Sequence, residues 1–274
     1  MKKKLPTLTI LAMKLGLTDA QFIQKLNFLF PENRPYQKSF CLNKNGKEAT
    51  YKVRCTGIGN IKNKHGDIIQ CSFEVNDKWS EYSVLVNADS FDAMRMPIFT
   101  TPDYFLTRFD SHCETQMLFG DLTCDCMAQL ELAIEKIALR GEGAVIHIKR
   151  HEGRGKGIAS KLDQLAICAN FPTIDTVEAS LLRAQIIEGI EIPFGQTDAT
   201  PIIDCRDFFG CVAILKFFDV PTKIKLMLQT NNPNKTLALI DNGYECIVDN
   251  VHTEPHEHNR HHLEAKRKNL NHDI

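Results

Sequence analysis

The distribution of apolar and polar positions divides the chain into two regions. From Lys4 to Pro31 apolar residues recur at helical spacing, and Thr18 stands at an N-cap position before the second run, which predicts two short helices. From Lys38 to Val86 apolar and polar residues alternate in short runs separated by turn-rich stretches such as 60–67, which predicts antiparallel strands. The strands are expected at Tyr51–Cys55, Ile68–Val75 and Tyr82–Val86. Residues 87–102 follow as a connection that carries two prolines.

The second region, residues 103–274, has strand and helix patterns in alternation. Strands are predicted at residues 104–109, 144–149, 224–229 and 245–248. Helices are predicted at residues 128–139, 156–169, 207–218 and 235–241. This alternation predicts a layered α/β domain with a mixed sheet, preceded by a small helical and antiparallel β region at residues 1–102.

Composition narrows the class of protein. A formal charge of −1 argues against a general nucleic-acid binder or a membrane-surface protein, and no apolar run is long enough to span a bilayer. The basic start is followed by a short apolar run that Lys14 interrupts, so no signal peptide is expected. Ten cysteines are too sparse for a disulfide scaffold and suit a reducing compartment, so we expect a cytoplasmic protein. The two N-terminal helices lack a recognition-helix pattern, which favours a packing appendage over a DNA-binding motif.

Three cysteines lie close together in the sequence at Cys113, Cys124 and Cys126. Thiolates are good zinc ligands, and three protein ligands leave one position for water, which is typical of a catalytic rather than a structural zinc. The alternative is that these cysteines are buried thiols that behave as small hydrophobic side chains. The cysteines alone favour neither interpretation.

Two loops carry polar groups suited to an anionic ligand. The loop from His151 to Gly157 joins a strand to a helix, and its three glycines allow close backbone approach while Arg154 and Lys156 supply charge. Taken alone it could equally be a solvated turn. The loop 230–235 also joins a strand end to a helix start. Because ligands of open α/β sheets bind at the carboxyl ends of strands, two such loops near a candidate metal site support each other.

Five short motifs follow one another along the second region of the chain. They are Cys113 followed by Cys124-Asp125-Cys126-Met127-Ala128-Gln129-Leu130, Glu152-Gly153-Arg154 with Gly157, Lys161 and Leu162, Asp175-Thr176-Val177-Glu178-Ala179, Asp204-Cys205-Arg206-Asp207-Phe208, and residues 228–235. From about residue 108 onward the chain thereby resembles GTP cyclohydrolase II, the first enzyme of riboflavin synthesis. The family's N-terminal sheet is expected within residues 38–107. The histidine-rich segment 256–266 resembles the family's closing segment, and we interpret it as an exposed polar tail.

The resemblance implies a set of roles. Cys113, Cys124 and Cys126 are similar to zinc ligands, Asp204 to a proton acceptor, and Arg206 to an arginine that acts as nucleophile or orients phosphate. Positions similar to GTP-binding residues are Arg108, Gln129, Glu152, Gly153, Arg154, Thr176, Thr230 and Lys235. The implied chemistry opens the imidazole ring of GTP with water and releases formate and pyrophosphate. Zinc and nucleotide-bound magnesium are the implied metals, and a homodimer is the implied assembly.

The chain also departs from the family pattern near the cysteines. Gln116 and Met117 stand where the family has glycine and aspartate, residues 121–123 replace a Ser-Leu-Arg run, and Leu165 replaces a tyrosine. Residues 190–201 form an insertion. Three hypotheses follow: a working GTP cyclohydrolase II, a divergent zinc hydrolase that acts on another nucleotide or releases pyrophosphate only, and a nucleotide-binding regulator without turnover.

Overall fold

Two short helices open the described part of the chain. The structure, a computed structural model, describes residues 6–30, 36–92, 94–100, 103–191 and 203–270. The helices are α1 (Pro6–Lys14) and α2 (Asp19–Leu29). Thr18 caps α2, because its hydroxyl accepts a hydrogen bond from the backbone N–H of Gln21. The side-chain oxygen of Gln21 in turn accepts from the backbone N–H of Thr18, which completes a capping box. The two predicted helices are therefore confirmed.

Ten strands follow the helices. They are β1 (Tyr36–Lys44), β2 (Lys47–Asn63), β3 (Gly66–Val75), β4 (Lys78–Asn87), β5 (Ser90–Phe91), β6 (Pro97–Ile98), β7 (Tyr104–Ser111), β8 (Gly143–Ile148), β9 (Lys225–Gln229) and β10 (Cys246–Asp249). Eight of them form one sheet in the order β1-β2-β3-β4-β8-β7-β9-β10. Strands β1 to β4 and the β4–β8 pair are antiparallel, whereas the pairs among β8, β7, β9 and β10 are parallel. The predicted mixed sheet is confirmed.

One continuous sheet therefore crosses the expected boundary at residues 102 and 103. Strand β4 lies before this boundary and pairs with β8, which lies after it. The division into two domains stays a prediction. Within the first region, β2 is longer than predicted and runs through Asn60 to Asn63, because the hairpin turn takes only the two residues before Gly66. The connection at 87–102 contains the small β5–β6 sheet.

Seven further helices lie in the part of the chain that the structure describes. They are α3 (Glu114–Phe119), α4 (Cys126–Arg140), α5 (Ile158–Asn170), α6 (Thr176–Glu188), α7 (Phe209–Phe217), α8 (Asn234–Ile240) and α9 (Arg260–Leu270). Helices α4, α5, α7 and α8 correspond to the four predicted ones, whereas α3, α6 and α9 were not predicted. From residue 192 to its end at 201, the expected insertion lies outside the described residues. No helix in the described ranges is long and apolar enough to span a bilayer.

Helices on both faces of the sheet bury its apolar side chains. On one face α7 is buried along almost its whole length, and Phe73 of β3 meets Phe217 edge to face at 5.2 Å. On the other face α4 packs Ala133 and Ile137 against β7 and β8. Gly143 at the start of β8 is needed for this contact, because an added Cβ would lie 2.5 Å from the carbonyl oxygen of Leu106.

Candidate active site

A cleft of about 380 Å³ lies at the edge of the sheet where β7, β8 and β9 end. It is lined by every predicted metal- and substrate-binding residue and by Arg206, namely Arg108, Cys113, Cys124, Cys126, Gln129, Glu152, Gly153, Arg154, Thr176, Arg206, Thr230 and Lys235. Asp204 does not line the cleft but is bonded to Arg206. The structure thus brings together residues that lie more than 120 positions apart in the sequence.

The three thiols of Cys113, Cys124 and Cys126 form one cluster in this cleft. Their Sγ atoms all lie within 4.8 Å of one another, and Cys113 and Cys124 are 3.5 Å apart. Cys113 follows β7, and Cys126 begins α4, so a strand end and a helix start position the cluster. Three sulfur donors at this spacing suit a soft divalent ion such as zinc.

The thiols of the cysteine cluster differ in pKa. Hydrogen bonds from Cys124 and Cys126, together with the ammonium of Lys161 at 2.9 Å, hold the pKa of the Cys113 thiol well below its usual range against the effect of burial. The hydrogen bond to Cys113 raises the pKa of Cys124 to about 11. The ammonium of Lys161 thus favours the thiolate form of Cys113, which is the form that binds a metal ion.

Two residues that depart from the family pattern shape the loop between the cysteines. The side-chain amide of Gln116 donates to the carbonyl of Cys124 at 2.6 Å and accepts from the backbone N–H of Met127. Asp121 accepts from the hydroxyls of Thr115 and Thr123 at 2.9 Å and 2.8 Å. These side chains therefore hold the loop by internal hydrogen bonds.

A buried network of charged and imidazole groups lies at the end of β7. Arg108 donates from Nε to Asp110 at 3.0 Å and from its guanidinium to Gln129 at 3.1 Å. Burial would raise the pKa of Asp110, but Arg108 and the Nδ1 of His147, 2.8 Å away, hold it below its usual range. His147 in turn contacts Nδ1 of His112 at 3.1 Å. Sequence reasoning missed these histidines and Asp110, although the place of Asp110 and His112 just before Cys113 was a signal for those two residues.

The glycine-rich loop turns through three left-handed residues. Gly153, Arg154 and Gly155 have φ angles of 56°, 57° and 85°. A Cβ on Gly155 would lie 3.0 Å from the backbone of Cys205, so this turn needs the glycine. The loop places the Arg154 guanidinium so that it donates a hydrogen bond of 2.6 Å to the hydroxyl of Ser180, in the first turns of α6. Burial and the neighbouring Arg206 lower the pKa of Arg154 to about 10.

The remaining cations are held by different partners. Arg206 forms a two-pronged ion pair with Asp204 at 2.8 Å and 2.5 Å. Lys235 of α8 is 6% exposed and donates to the carbonyl of Phe109 at 2.6 Å. Burial, Arg108 and Arg206 together lower the pKa of Lys235 to about 7. The protein groups around this ammonium therefore stabilise its charge poorly.

Charge in the cleft is not balanced. Arg108 and Arg206 each pair with an aspartate, and Lys161 pairs with Glu152. Arg154 and Lys235 have no carboxylate within ion-pair distance in the ranges that the structure describes. Lys235 is buried and Arg154 is half-buried, and two such cations with only neutral partners favour the binding of an anion between them.

The segment that was expected to be an exposed polar tail is partly buried and reaches the cleft. Helix α9 packs its Leu263 and Ala265 inward, and Nδ1 of His262 contacts the hydroxyl of Thr176 at 3.0 Å. Lys266 pairs with the buried carboxylate of Asp125 at 3.4 Å. The prediction of an exposed tail was therefore wrong for His262, which lines the cleft with Lys266.

Comparisons with known proteins agree with this geometry. A family model described as GTP cyclohydrolase II matches residues 58–252. GTP cyclohydrolase-2 of Streptomyces coelicolor is 34% identical over 171 residues, which cover 62% of this chain and 67% of that protein. GTP cyclohydrolase-2 of Teredinibacter turnerae is 35% identical over 172 residues, covering 61% of this chain and 73% of that protein.

A longer relative matches over a similar length of the chain. The riboflavin biosynthesis protein RibBA of Aquifex aeolicus is 37% identical over 169 residues, or 61% of this chain, and the match spans 36% of that protein's length. The family match begins within β2 and ends after β10, so it covers most of the sheet and all of the strand ends that form the cleft. The chain therefore belongs to the GTP cyclohydrolase II family of hydrolases.

Proposed function

We propose that this protein is a zinc-dependent hydrolase that opens the imidazole ring of GTP and releases formate and pyrophosphate. The observation that carries the proposal is the shared cleft, which holds three clustered thiols and two cations, Arg154 and Lys235, that have no carboxylate partner among the described residues. A nucleoside triphosphate meets both features, because its phosphates need cations and its ring needs an electrophilic centre. Membership of the GTP cyclohydrolase II family supports GTP as the nucleotide.

The metal would be held by Cys113, Cys124 and Cys126. Bound zinc supplies a Lewis acid and lowers the pKa of water to about 7, so that hydrolysis of a ring carbon proceeds at neutral pH. Lys161 neutralises charge at Cys113. Magnesium accompanies the triphosphate, as the family resemblance implies.

The phosphate side of the site would be formed by Arg154, Lys235, Thr230 and Arg206. Arginine keeps its proton in proteins, so Arg206 would orient the α-phosphate and stabilise the charge that develops as pyrophosphate leaves, rather than attack the phosphorus. Both oxygens of Asp204 bind Arg206 in this structure. This supports a positioning role for Asp204 alongside the proton-acceptor role that the resemblance implies.

The base and ribose would lie against the other predicted residues. Arg108 and Gln129 are bonded to each other at the floor of the cleft, while Glu152, Gly153 and Thr176 lie near the cysteine cluster and α6. The hydrogen bonds among these groups fix the side chains before substrate arrives, which is what positioning in catalysis requires. We also propose that the protein is a cytoplasmic homodimer.

A second candidate is a divergent reaction that releases pyrophosphate without ring opening. It is favoured by Leu165, which lines the cleft where the resemblance places a tyrosine and which offers no hydroxyl to the substrate. The cations of the phosphate side are all present, so the phosphoryl step would suffer less than the ring-opening step.

One experiment separates these candidates from a nucleotide-binding regulator. The purified protein is incubated with GTP, zinc and magnesium, and formate, pyrophosphate and nucleotide binding are measured in parallel. Formate and pyrophosphate together support the full reaction, pyrophosphate alone supports the divergent reaction, and binding without products supports the regulator. The Cys124→Ser variant should lose formate release, whereas Cys205→Ser should retain it, because Cys205 is exposed and outside the cluster.

A further inference from the structure

A buried amide in the second loop has an unused hydrogen-bond donor. Asn232 is 3% exposed, and its Nδ2 atom has no hydrogen-bond partner among the described residues. The orientation of the amide is fixed, because Oδ1 accepts from the backbone N–H of Asn234 at 2.9 Å. Nδ2 is therefore the end of the amide that is left without a partner. An unpaired buried N–H group is unfavourable, and native proteins rarely keep one without a use.

The neighbouring amide shows the contrast. Asn231 donates from Nδ2 to the carbonyl of Val251 at 2.7 Å and accepts from the N–H of the same residue at 2.8 Å. Asn231 thus joins two segments of the backbone, and both ends of its amide are satisfied. Asn232 has only its acceptor satisfied, although the two residues are adjacent in one loop.

Asn232 lines the cleft between two groups assigned to the phosphate side. Its backbone N–H donates to the Thr230 hydroxyl at 3.0 Å, and three residues later Lys235 places its ammonium in the same cleft without a carboxylate partner. A ligand atom that meets Nδ2 here must accept a hydrogen bond and must also suit a positively charged neighbourhood. Anionic oxygen meets both conditions, whereas an N–H group of a base meets neither.

We propose that Nδ2 of Asn232 donates a hydrogen bond to a phosphate oxygen of the nucleotide beside Lys235, which makes Asn232 a specificity residue for the polyphosphate. This inference rests on the proposed function, since it assumes that a nucleotide polyphosphate occupies the cleft. It adds a neutral donor to a set of cations, and a neutral donor favours phosphate at a fixed position rather than negative charge in general.

The test compares two aspartate substitutions in the same loop. Asn232→Asp keeps the oxygen that accepts from Asn234 and replaces the donor with a second oxygen, so the fold is retained while phosphate is repelled. Asn234→Asp makes the same change of charge two residues away on an exposed side chain and is the matched control. Binding of GTP and of inorganic tripolyphosphate, each with magnesium, is measured by titration calorimetry for the wild type and both variants.

We expect Asn232→Asp to weaken the binding of GTP and of tripolyphosphate about a hundredfold, and Asn234→Asp to change either by less than about threefold. Asn232→Ala removes the donor without adding charge and should weaken both ligands about tenfold. The alanine variant decides the question if the aspartate variant does not fold.

Three results would overturn the inference. The first is an Asn232→Asp variant that binds GTP as well as Asn234→Asp does. The second is an Asn232→Asp variant that binds GTP more weakly but tripolyphosphate normally, which would indicate that Nδ2 donates to the base or the ribose. The third is a wild type that binds GTP but not tripolyphosphate. A wild type that binds no nucleotide would overturn the proposed function and this inference together, so the two failures are distinguishable.

Discussion

Replacing Lys235 with methionine should stabilise the nucleotide-free protein and abolish its binding of polyphosphate. The side chain is 6% exposed, and its ammonium donates to the carbonyl of Phe109 and lies 5.7 Å from the centre of the Phe208 ring, so that neither of these partners carries a charge. A methionine fills nearly the same volume without the charge. The substitution therefore removes an unfavourable buried cation from the fold, and with it a group that the ligand needs.

The size of the effect follows from the pKa of Lys235. Burial first, then Arg108 and Arg206, lower it from 10.5 to about 7. A pKa lowered by about 3.5 means that the buried charge on Lys235 reduces the free energy of unfolding by about 5 kcal/mol. The methionine leaves the Phe109 carbonyl unsatisfied, which costs about 2 kcal/mol. The net gain is about 3 kcal/mol, or about 6 °C in Tm for a protein of this size.

The pH dependence of stability follows from the same pKa of Lys235. Below pH 7 the lysine is charged in the folded and unfolded states, so the wild type bears the full penalty. Between pH 7 and 10.5 the unfolded state binds more protons than the folded state, and wild-type stability rises with pH. The methionine variant lacks this rise. The gap in Tm between the variant and the wild type should therefore be largest at pH 6 and nearly close by pH 9.

Thermal unfolding at pH 6, 7, 8 and 9 tests this reasoning, with pyrophosphate binding measured alongside. Lys225→Met is the control, because Lys225 lies at the surface in an exposed ion pair with Glu245, and its loss should shift Tm by about 1 °C or less at any pH. A Lys235→Met variant that is less stable than the wild type at pH 6, or a gap that does not shrink with rising pH, would falsify the account of Lys235 as an uncompensated cation.

Three further predictions concern the metal, the products and the backbone. Metal analysis of Cys124→Ser should show zinc falling from about one per chain to near zero, whereas Cys205→Ser should keep it; undiminished zinc in the first variant would contradict the cluster. In the GTP assay pyrophosphate should exceed formate severalfold, because Leu165 offers no hydroxyl, and equal yields would show an unimpaired ring-opening step. In urea unfolding Gly143→Ala should cost about 3 kcal/mol, because its Cβ would lie 2.5 Å from a carbonyl, whereas Gly59→Ala meets nothing within 4 Å and should change stability little.

The sequence predicted those parts of the fold that local chemistry determines. Helix α4 ends where its apolar periodicity meets Gly141, and α2 begins at the cap that Thr18 provides. Helix α6 was missed although Asp175 and Glu178 form a capping box at its start. Its apolar residues face both α5 and α9, so no single apolar stripe marks it in the sequence.

The candidate site was predicted where residues stand in recognisable motifs and missed where tertiary contacts create it. The thiols and the arginines belong to motifs, and the structure brings them to one cleft. His147 is an interior residue of β8, and only its pairing with β7 brings it to Asp110. The unused donor of Asn232 is invisible in sequence, because Asn231 beside it has the same chemistry and a different set of partners.

The left-handed backbone of Arg154 limits how this position can vary among descendants of the chain. With φ at 57°, asparagine or glycine would relax the backbone, yet either would remove the cation that the cleft presents. Lysine keeps a charge but not the planar fork that reaches Ser180, and a β-branched residue would strain the turn further. None of these substitutions both relieves the backbone strain at position 154 and preserves the charge and geometry of the guanidinium. We therefore expect this position to remain arginine as long as the activity is selected. In a selection that scores protein abundance and activity separately, glycine and asparagine should rank high on the first scale and last on the second.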